Sequence, residues 1–345
     1  MVGVIRDEHL APSPQVAKVA SSGSTADDRI AYSVVAPLYN ESGNLSVLVD
    51  RLRPVLTKLA GESWEIVFVD DGSQDDSWQV VERLHQQDAR VKGLRFSRNF
   101  GHHIALTAGL DASRGDRVVT MDSDLQDQPE DLPKLVAKMD EGYDLVYAER
   151  IHRKHSAGKT LSSRFFLWML NRGTSVPYPI TGAVFRIMSR PFVDQLCRLR
   201  ERHRLFTGLT SWLGFRQASA SVEHGRRHAG RTKYDLGRML RLAADSTLSF
   251  SAKPLQILIW LAGGACLFSL IFAAYLVARL AVTGSVLSGW LATMAVVTFF
   301  GSAILLGLAI IGQYLGRIFE QQKGRPLYVL RETLGTSVGE AKHLG

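Results

Sequence analysis

From residue 32 to residue 124 the chain alternates short apolar runs with longer stretches of helical periodicity. Tyr32-Ser-Val-Val-Ala-Pro37 is β-rich and gives way to Tyr39-Asn40-Glu41, which predicts a buried strand ending in a loop. Leu45, Leu48, Val49, Leu52, Val55, Leu56 and Leu59 then recur at the spacing of one helix face. Glu65–Val69 predicts a second strand, ending in Asp70-Asp71-Gly72-Ser73, and Asp75–Leu84 a second helix. Val91–Phe96 and Arg117–Met121 predict two more strands, with a helix over His103–Ala112 between them. This alternation argues for a parallel sheet flanked by helices. Such sheets bind ligands at the carboxyl ends of their strands. The polar clusters Asn40-Glu41, Asp70-Asp71, Arg98-Asn99 and Asp122-Ser-Asp124 all fall at those ends, so they predict one shared cleft.

The second half is patterned differently. Pro254–Ala278 contains no charged residue, and neither does Leu280–Gly316. Each exceeds the roughly 20 residues that span a bilayer. Two transmembrane helices are expected, near 255–279 and 287–315. Lys233, Arg238, Arg241 and Lys253 precede the first, and Arg317, Lys323, Arg325 and Arg331 follow the second. By the positive-inside rule the catalytic part and both termini lie in the cytoplasm, which makes this a two-span protein of the cell inner membrane. The division expected is a mobile tail over 1–29, a catalytic domain over 30–232, an amphipathic membrane-surface helix over 233–253, the two spans over 254–316 and a cytoplasmic tail over 317–345. Residues 164–170 form a further amphipathic stretch, fit for the membrane surface or for the core.

Composition changes this picture little. The 345 residues carry a net charge of +8, which suits an anionic membrane surface or a phosphorylated substrate. There is no zinc finger, RNP-like aromatic run or long basic tract, so nucleic acid is not an expected partner. Cys197 and Cys266, the two cysteines, have no metal-ligand spacing. Gly158-Lys-Thr160 lacks the first glycine of a P-loop, because position 153 is Arg. Gly335-Thr-Ser-Val-Gly339 has no strand leading into it, so it is not a nucleophile elbow. His224 and His228 lack the Glu of a zinc-protease motif; with His102 they read as polar loop or cleft residues.

The chemistry therefore centres on the acids. Asp122 and Asp124, with Gln126 as a further oxygen donor, can hold Mg²⁺ or Mn²⁺ and leave positions for substrate phosphates. Asp70 or Asp71 can accept hydrogen bonds from a base or ribose, and Asp75 or Ser73 can cap the next helix. Arg150, Arg153, Lys154, Arg164, Arg186, Arg226, Arg227, Arg231 and Lys233 are candidates for handling phosphates, and the run Arg227–Tyr234 is the better case because Gly230 makes it flexible.

Ala36-Pro-Leu-Tyr-Asn-Glu41, Val69-Asp-Asp-Gly-Ser73 and Asp122-Ser-Asp-Leu-Gln126 together resemble the family 2 glycosyltransferases with the GT-A fold. The likeness is greatest to the polyprenyl-phosphate glycosyltransferases, the group containing dolichol-phosphate mannose synthase and the bactoprenol glucosyltransferases. Ser97–His102, Gly182–Arg186, Arg227–Tyr234, Phe250–Pro254 and Arg325–Tyr328 extend it over nearly the whole chain. The resemblance implies an α/β GT-A-type, mostly parallel sheet and a two-helix membrane anchor. It implies that Asp122, Asp124 and Gln126 hold the metal and donor diphosphate. Pro37, Tyr39, Glu41, Asp70 and Asp71 would line the nucleoside site. Arg98, Arg150, Arg164, Arg227 and Lys233 would bind substrate, with Arg186 joining the two acids in catalysis. It also implies a homo-oligomer, a tetramer in the bacterial members. Val184 stands where relatives often carry an acid, which bears on donor preference, and no Q-x-x-R-W is present, which argues for single-sugar transfer.

The expected reaction is inverting transfer of one sugar from a nucleotide-sugar, UDP-glucose first, to undecaprenyl phosphate. A phosphate monoester has its second pKa near about 6, so this acceptor needs no strong base. Two alternatives stay open at this stage: transfer to another lipid such as diacylglycerol, and a non-catalytic nucleotide-sugar-binding scaffold.

Overall fold

A computed structural model describes residues 29–150, 184–202, 206–222, 253–283 and 290–336. The expected first half is realised. Strands β1 (Tyr32–Leu38), β2 (Trp64–Asp70), β3 (Val91–Phe96) and β4 (Arg117–Thr120) alternate with helices α1 (Leu45–Ala60), α2 (Ser77–Gln87) and α3 (His102–Ala112). β1 pairs in parallel with β2 and β4, and β2 with β3. Helix α4 (Leu132–Asp140) follows, then β5 (Leu145–Arg150), β6 (Arg186–Ser189), α5 (Arg190–Arg198), α6 (Phe206–Trp212), β7 (Gln217–Val222) and finally β8 (Leu330–Leu334). The sheet order is β7-β5-β6-β4-β1-β2-β3-β8. β6 runs antiparallel to β4 and β5, and β8 antiparallel to β3.

β1 shows why the runs are continuous rather than alternating. Tyr32, Val34, Ala36 and Leu38 pack with α1, α2 and α4 on one face. Val35 faces the other way, into a second core built by α3, α5 and α6. A sheet covered on both faces buries every side chain, so all seven residues of β1 are buried. Helix α3 lies close against the sheet: a Cβ at Gly109 would run into Val35.

Two long helices, α7 (Lys253–Thr283) and α8 (Trp290–Gln322), follow the order expected for the anchor; α7 extends past both expected ends and α8 past its expected C-terminal end. Among the described residues one stretch, Val296–Gln322, is long and apolar enough to cross a membrane. The region set apart as a C-terminal tail holds a structural element. β8 closes the sheet edge, with Trp78 Nε1 donating to Glu332 at 2.9 Å and Arg95 Nη1 to the same carboxylate at 3.0 Å. Alternating charge hid this strand, since Leu330-Arg-Glu-Thr-Leu334 presents charged side chains at a half-exposed edge.

Candidate active site

The carboxyl ends of β1, β2 and β4 open into a cavity of about 400 Å³. Pro37, Tyr39, Glu41, Asp71, Asp122 and Asp124 line it, as the strand-end clusters predicted, and His102 joins them. Its walls are tight turns. Asn40 (φ 57°) and Leu125 (φ 61°) are the two non-glycine residues with left-handed backbone among the described residues, and both flank the cavity. Each such conformation costs about 1–2 kcal/mol and persists only where neighbours fix it. Asn40 N–H donates to Ser73 Oγ at 2.9 Å, while its side-chain oxygen accepts from Gln74 N–H at 2.8 Å. Ser123 Oγ donates to the Pro37 carbonyl at 2.9 Å, which ties the β4 turn to β1.

The two acids ending β2 have different tasks. Asp70 is fully buried beneath the cavity, accepting from Ser73 N–H at 2.8 Å, with Arg95 Nε 3.7 Å away. Asp71 reaches the start of α3, accepting from Phe100 N–H at 2.7 Å and Gly101 N–H at 2.9 Å. Burial pushes the Asp71 carboxyl above the usual carboxylate range, although these two amides oppose the shift. Glu41 is also pushed up, first by burial and then by the charges of Asp124 and Asp75, with an opposing hydrogen bond from Asn44. His102 Nε2 lies 3.6 Å from Asp122 Oδ1. Burial lowers the imidazole's proton affinity, and the positive charge of Arg186 lowers it further, against Asp71 and Asp124.

Arg186 arrives from the antiparallel strand β6, which sets it opposite Thr120, two residues before Asp122. Its guanidinium is buried between Phe206 at 4.6 Å and Tyr147 at 5.7 Å. Nη1 has no hydrogen-bond partner among the described residues. Burial lowers its proton affinity, while Tyr147 and Asp122 oppose that effect. A buried donor lacking an acceptor is costly in a resting protein and useful in one that receives an anion.

Other expected residues fall elsewhere. Gln126 does not line the cavity: its Nε2 donates to Asp124 Oδ2 and its N–H to Asp124 Oδ1 at 3.1 Å, so it orients that carboxylate. Arg98 stacks on Phe100 at 4.0 Å, donates to the Asn99 carbonyl at 3.0 Å and lies outside the cavity lining. Arg150 ends β5, which runs in the β4 direction, so its backbone reaches the carboxyl end of the sheet. Arg153, Lys154, Arg164, Arg226, Arg227, Arg231 and Lys233 lie outside the described residues, as do the amphipathic stretches at 164–170 and 236–250. Sequence reading placed His102 in the cleft but gave it no partner; only the register of α3 sets it beside Asp122.

No group of three or more His, Cys, Asp or Glu side chains forms a preformed metal cage among the described residues. The donor set still fits a hard divalent ion. Asp122 and Asp124 share the lining with Glu41, so three carboxylates face one cavity. An ion such as Mg²⁺ is commonly bound by one or two carboxylates plus substrate phosphates rather than by an all-protein cage.

Carboxylates clustered at the carboxyl ends of a mostly parallel sheet, beside a buried arginine whose Nη1 has no partner among the described residues, define an α/β protein with a cavity where such sheets bind ligands. The profile of the family described as Glycosyl transferase family 2 matches residues 33–199. An uncharacterized glycosyltransferase, YkcC, of Bacillus subtilis is 38% identical over 310 residues, covering 89% of this chain and 95% of that protein. An undecaprenyl-phosphate 4-deoxy-4-formamido-L-arabinose transferase of Shewanella sediminis is 33% identical, covering 90% of this chain and 93% of that protein. A mannosyltransferase structure from Pyrobaculum calidifontis is 17% identical, covers 84% of this chain and 85% of that one, and has a TM-score of 0.47. The chain belongs to glycosyl transferase family 2.

Proposed function

We propose that the protein transfers a single sugar from a nucleotide-sugar to a polyprenyl phosphate at the cytoplasmic face of a membrane. The observation that carries this reading is the attachment of an acid-lined cavity to a membrane-length helix in one chain: α8 is followed directly by β8 in the catalytic sheet. A related chain of Shewanella sediminis, named for transfer to undecaprenyl phosphate, supports the choice of acceptor. Exposed apolar side chains on both long helices, among them Trp260, Phe268 and Ile271 on α7 and Leu305 and Leu308 on α8, support two spans. With the basic residues that flank them, they support a cytoplasmic catalytic domain and cytoplasmic termini.

Asp122 and Asp124 would hold Mg²⁺ or Mn²⁺, which supplies charge neutralisation for a departing nucleoside diphosphate. Pro37, Tyr39, Glu41 and Asp71 form the wall against which the nucleoside lies, with Asp70 supporting the turn from below. Arg186 offers its unpartnered N–H to a phosphate oxygen. The acceptor phosphate, ionised near neutral pH, attacks the anomeric carbon opposite the leaving group and inverts it. No side chain need remove a proton, which suits a cavity whose histidine is made a weaker base by burial and by Arg186. UDP-glucose is the first donor expected. The sugar named for the Shewanella relative, as its nucleotide, belongs in the same screen. Function as a homo-oligomer is part of this reading.

The test is transfer of labelled sugar to undecaprenyl phosphate by membranes containing the protein, with divalent metal and a panel of nucleotide-sugars. Transfer from at least one donor is expected. Failure with every donor overturns the reading, and a labelled diacylglycerol product would redirect it.

A further inference from the structure

A second cavity, of about 210 Å³, lies where the membrane-length helix meets the catalytic domain. Arg200, Arg202, Gln321, Arg325 and Tyr328 line it. Gln321, in the last turn of α8, accepts from the Arg202 N–H at 3.2 Å and donates to the Arg200 carbonyl at 3.3 Å. The Arg202 guanidinium donates to the Arg325 carbonyl at 2.7 Å, which fixes it in the wall. Arg200 makes a two-pronged contact with Asp111 near the end of α3, at 2.8 and 2.9 Å. Tyr328 donates its hydroxyl to the same carboxylate at 2.9 Å and stacks on Phe96 with ring centres 5.3 Å apart.

Two features of this cavity point to a ligand. The first is charge. Arg200, Arg202 and Arg325 line the cavity, and among the described residues no carboxylate does; of the neighbouring acids, Asp111 pairs with Arg200, and Glu320 pairs with Lys323 and also acts on Arg202 and Arg325. The lining itself is positive, and Arg202, held by a backbone carbonyl, keeps a fixed geometry for phosphate oxygens. The second is depth. The uncharged stretch of α8 ends at Gly316, five residues or about 7.5 Å before Gln321, so the cavity lies at the level of a bilayer's headgroups. Basic pockets at that level bind lipid phosphates.

We propose that this cavity binds the phosphate of an anionic bilayer phospholipid and thereby fixes the height of the catalytic domain over the membrane. The proposal rests on the membrane reading above. It names a site apart from the acceptor's. Helix α3 runs from His102 in the first cavity to Asp111 behind the second, nine residues or about 14 Å along its axis. An acceptor phosphate must reach the reacting carbon in the first cavity, so it cannot react from the second.

The test uses the full chain in lipid nanodiscs of phosphatidylcholine with or without phosphatidylglycerol, followed by transfer to neutral detergent and native mass spectrometry. The wild-type protein should retain phosphatidylglycerol. The Arg202→Gln, Arg325→Gln double variant should retain it about thirty-fold more weakly, at about a factor of five for each arginine near a lipid surface. Arg53→Gln, at a half-exposed arginine on α1 that is outside the lining of both cavities, should behave as wild type. UDP binding should stay within about twofold in every variant, which shows that the fold survives. If the double variant fails that check, Arg325→Gln alone carries the test, because its side chain is exposed. Equal retention by wild type and variant overturns the proposal. So does displacement of phosphatidylglycerol by undecaprenyl phosphate from wild type alone, which would make this an acceptor site. A chain that carbonate washes off membranes fails the membrane reading itself, a different outcome from lipid retention that ignores the arginines.

Discussion

The two ends of the central strands carry acids in opposite conditions. At the amino ends, Glu65 is buried and saturated. It pairs with Lys92 and accepts from Ser33 Oγ at 2.6 Å and Arg114 N–H at 2.7 Å. Gly115 N–H completes the knot through Ser33 Oγ at 2.7 Å. At the carboxyl ends, Glu41, Asp71, Asp122 and Asp124 share one cavity, and among the described residues no lysine or arginine lines it. Arg186, buried near Asp122, keeps an N–H without a partner among the described residues. A buried acid with matched donors holds a fold together. Acids that crowd one another at a cavity raise the energy of the empty protein and lower it when a cation and an anionic ligand arrive. Both sets sit at the ends of the same strands, so location separates them less well than the account of their partners.

The sharpest way to break this contrast is to remove one acid from each end. Asp124→Asn should lower transfer about a thousandfold, about 4 kcal/mol of transition-state stabilisation, while thermal stability holds or rises slightly. Labelled-sugar transfer and a melting curve on the same preparation check it. Full activity in that variant would remove Asp124 from the metal role. Glu65→Ala should do the reverse. It leaves Lys92 as an uncompensated buried charge and should cost about 3 kcal/mol of stability. Turnover per folded molecule should be little changed. A Glu65→Ala protein that melts normally but fails to turn over would erase the distinction between the two ends.

The same contrast explains what was legible in the sequence. β1 to β4 could be read because strands buried on both faces are continuous apolar runs. β5 to β8 were not predicted. Leu145-Val-Tyr-Ala-Glu-Arg150 ends in charge, Arg186–Ser189 has only four residues, and Gln217–Val222 lies at a half-exposed edge. Asp122 and Asp124 were legible because acids directly after an apolar strand have few structural uses. Arg186 was one arginine among many; only its antiparallel pairing with Thr120 separates it from the surface cations. Gln126 was assigned by its nearness to the acids, and nothing in its spacing shows which of them its amide would turn toward. Glu65 opens an apolar run and gives no hint of its partners, which come from 27 to 49 residues away.

A smaller effect is expected at the hinge between strand end and cavity. Gly72 (φ 76°) lies against the 98–99 backbone, and a Cβ there would come 2.7 Å from the Arg98 carbonyl carbon and 2.8 Å from Asn99 N. Neither neighbour is the tip of a flexible side chain. Gly72→Ala should cost about 2 kcal/mol. It should also push the 98–101 segment away from Asp71, whose carboxylate holds Phe100 and Gly101. KM for the nucleotide-sugar should therefore rise more than kcat falls. An unchanged melting temperature would show that the turn relaxes freely and that the wall of the cavity is soft.

The smallest effect bears most directly on why the site acids are costly. Glu41 is pushed above the ordinary carboxylate range, by burial first and by Asp124 and Asp75 after it. A carboxyl with a raised folded-state pKa contributes stability that is present at low pH and is lost as pH rises through that pKa. In metal-free buffer, Glu41→Gln should therefore melt higher than wild type near about pH 7, and the gap should close by about pH 4, where wild-type Glu41 is largely protonated. Divalent metal should narrow the gap at neutral pH by offsetting Asp124, but it should not abolish it, because burial is the larger cause. A gap that widens toward acid would mean that the fold favours the Glu41 carboxylate, and that this acid stabilises the cavity wall rather than straining it.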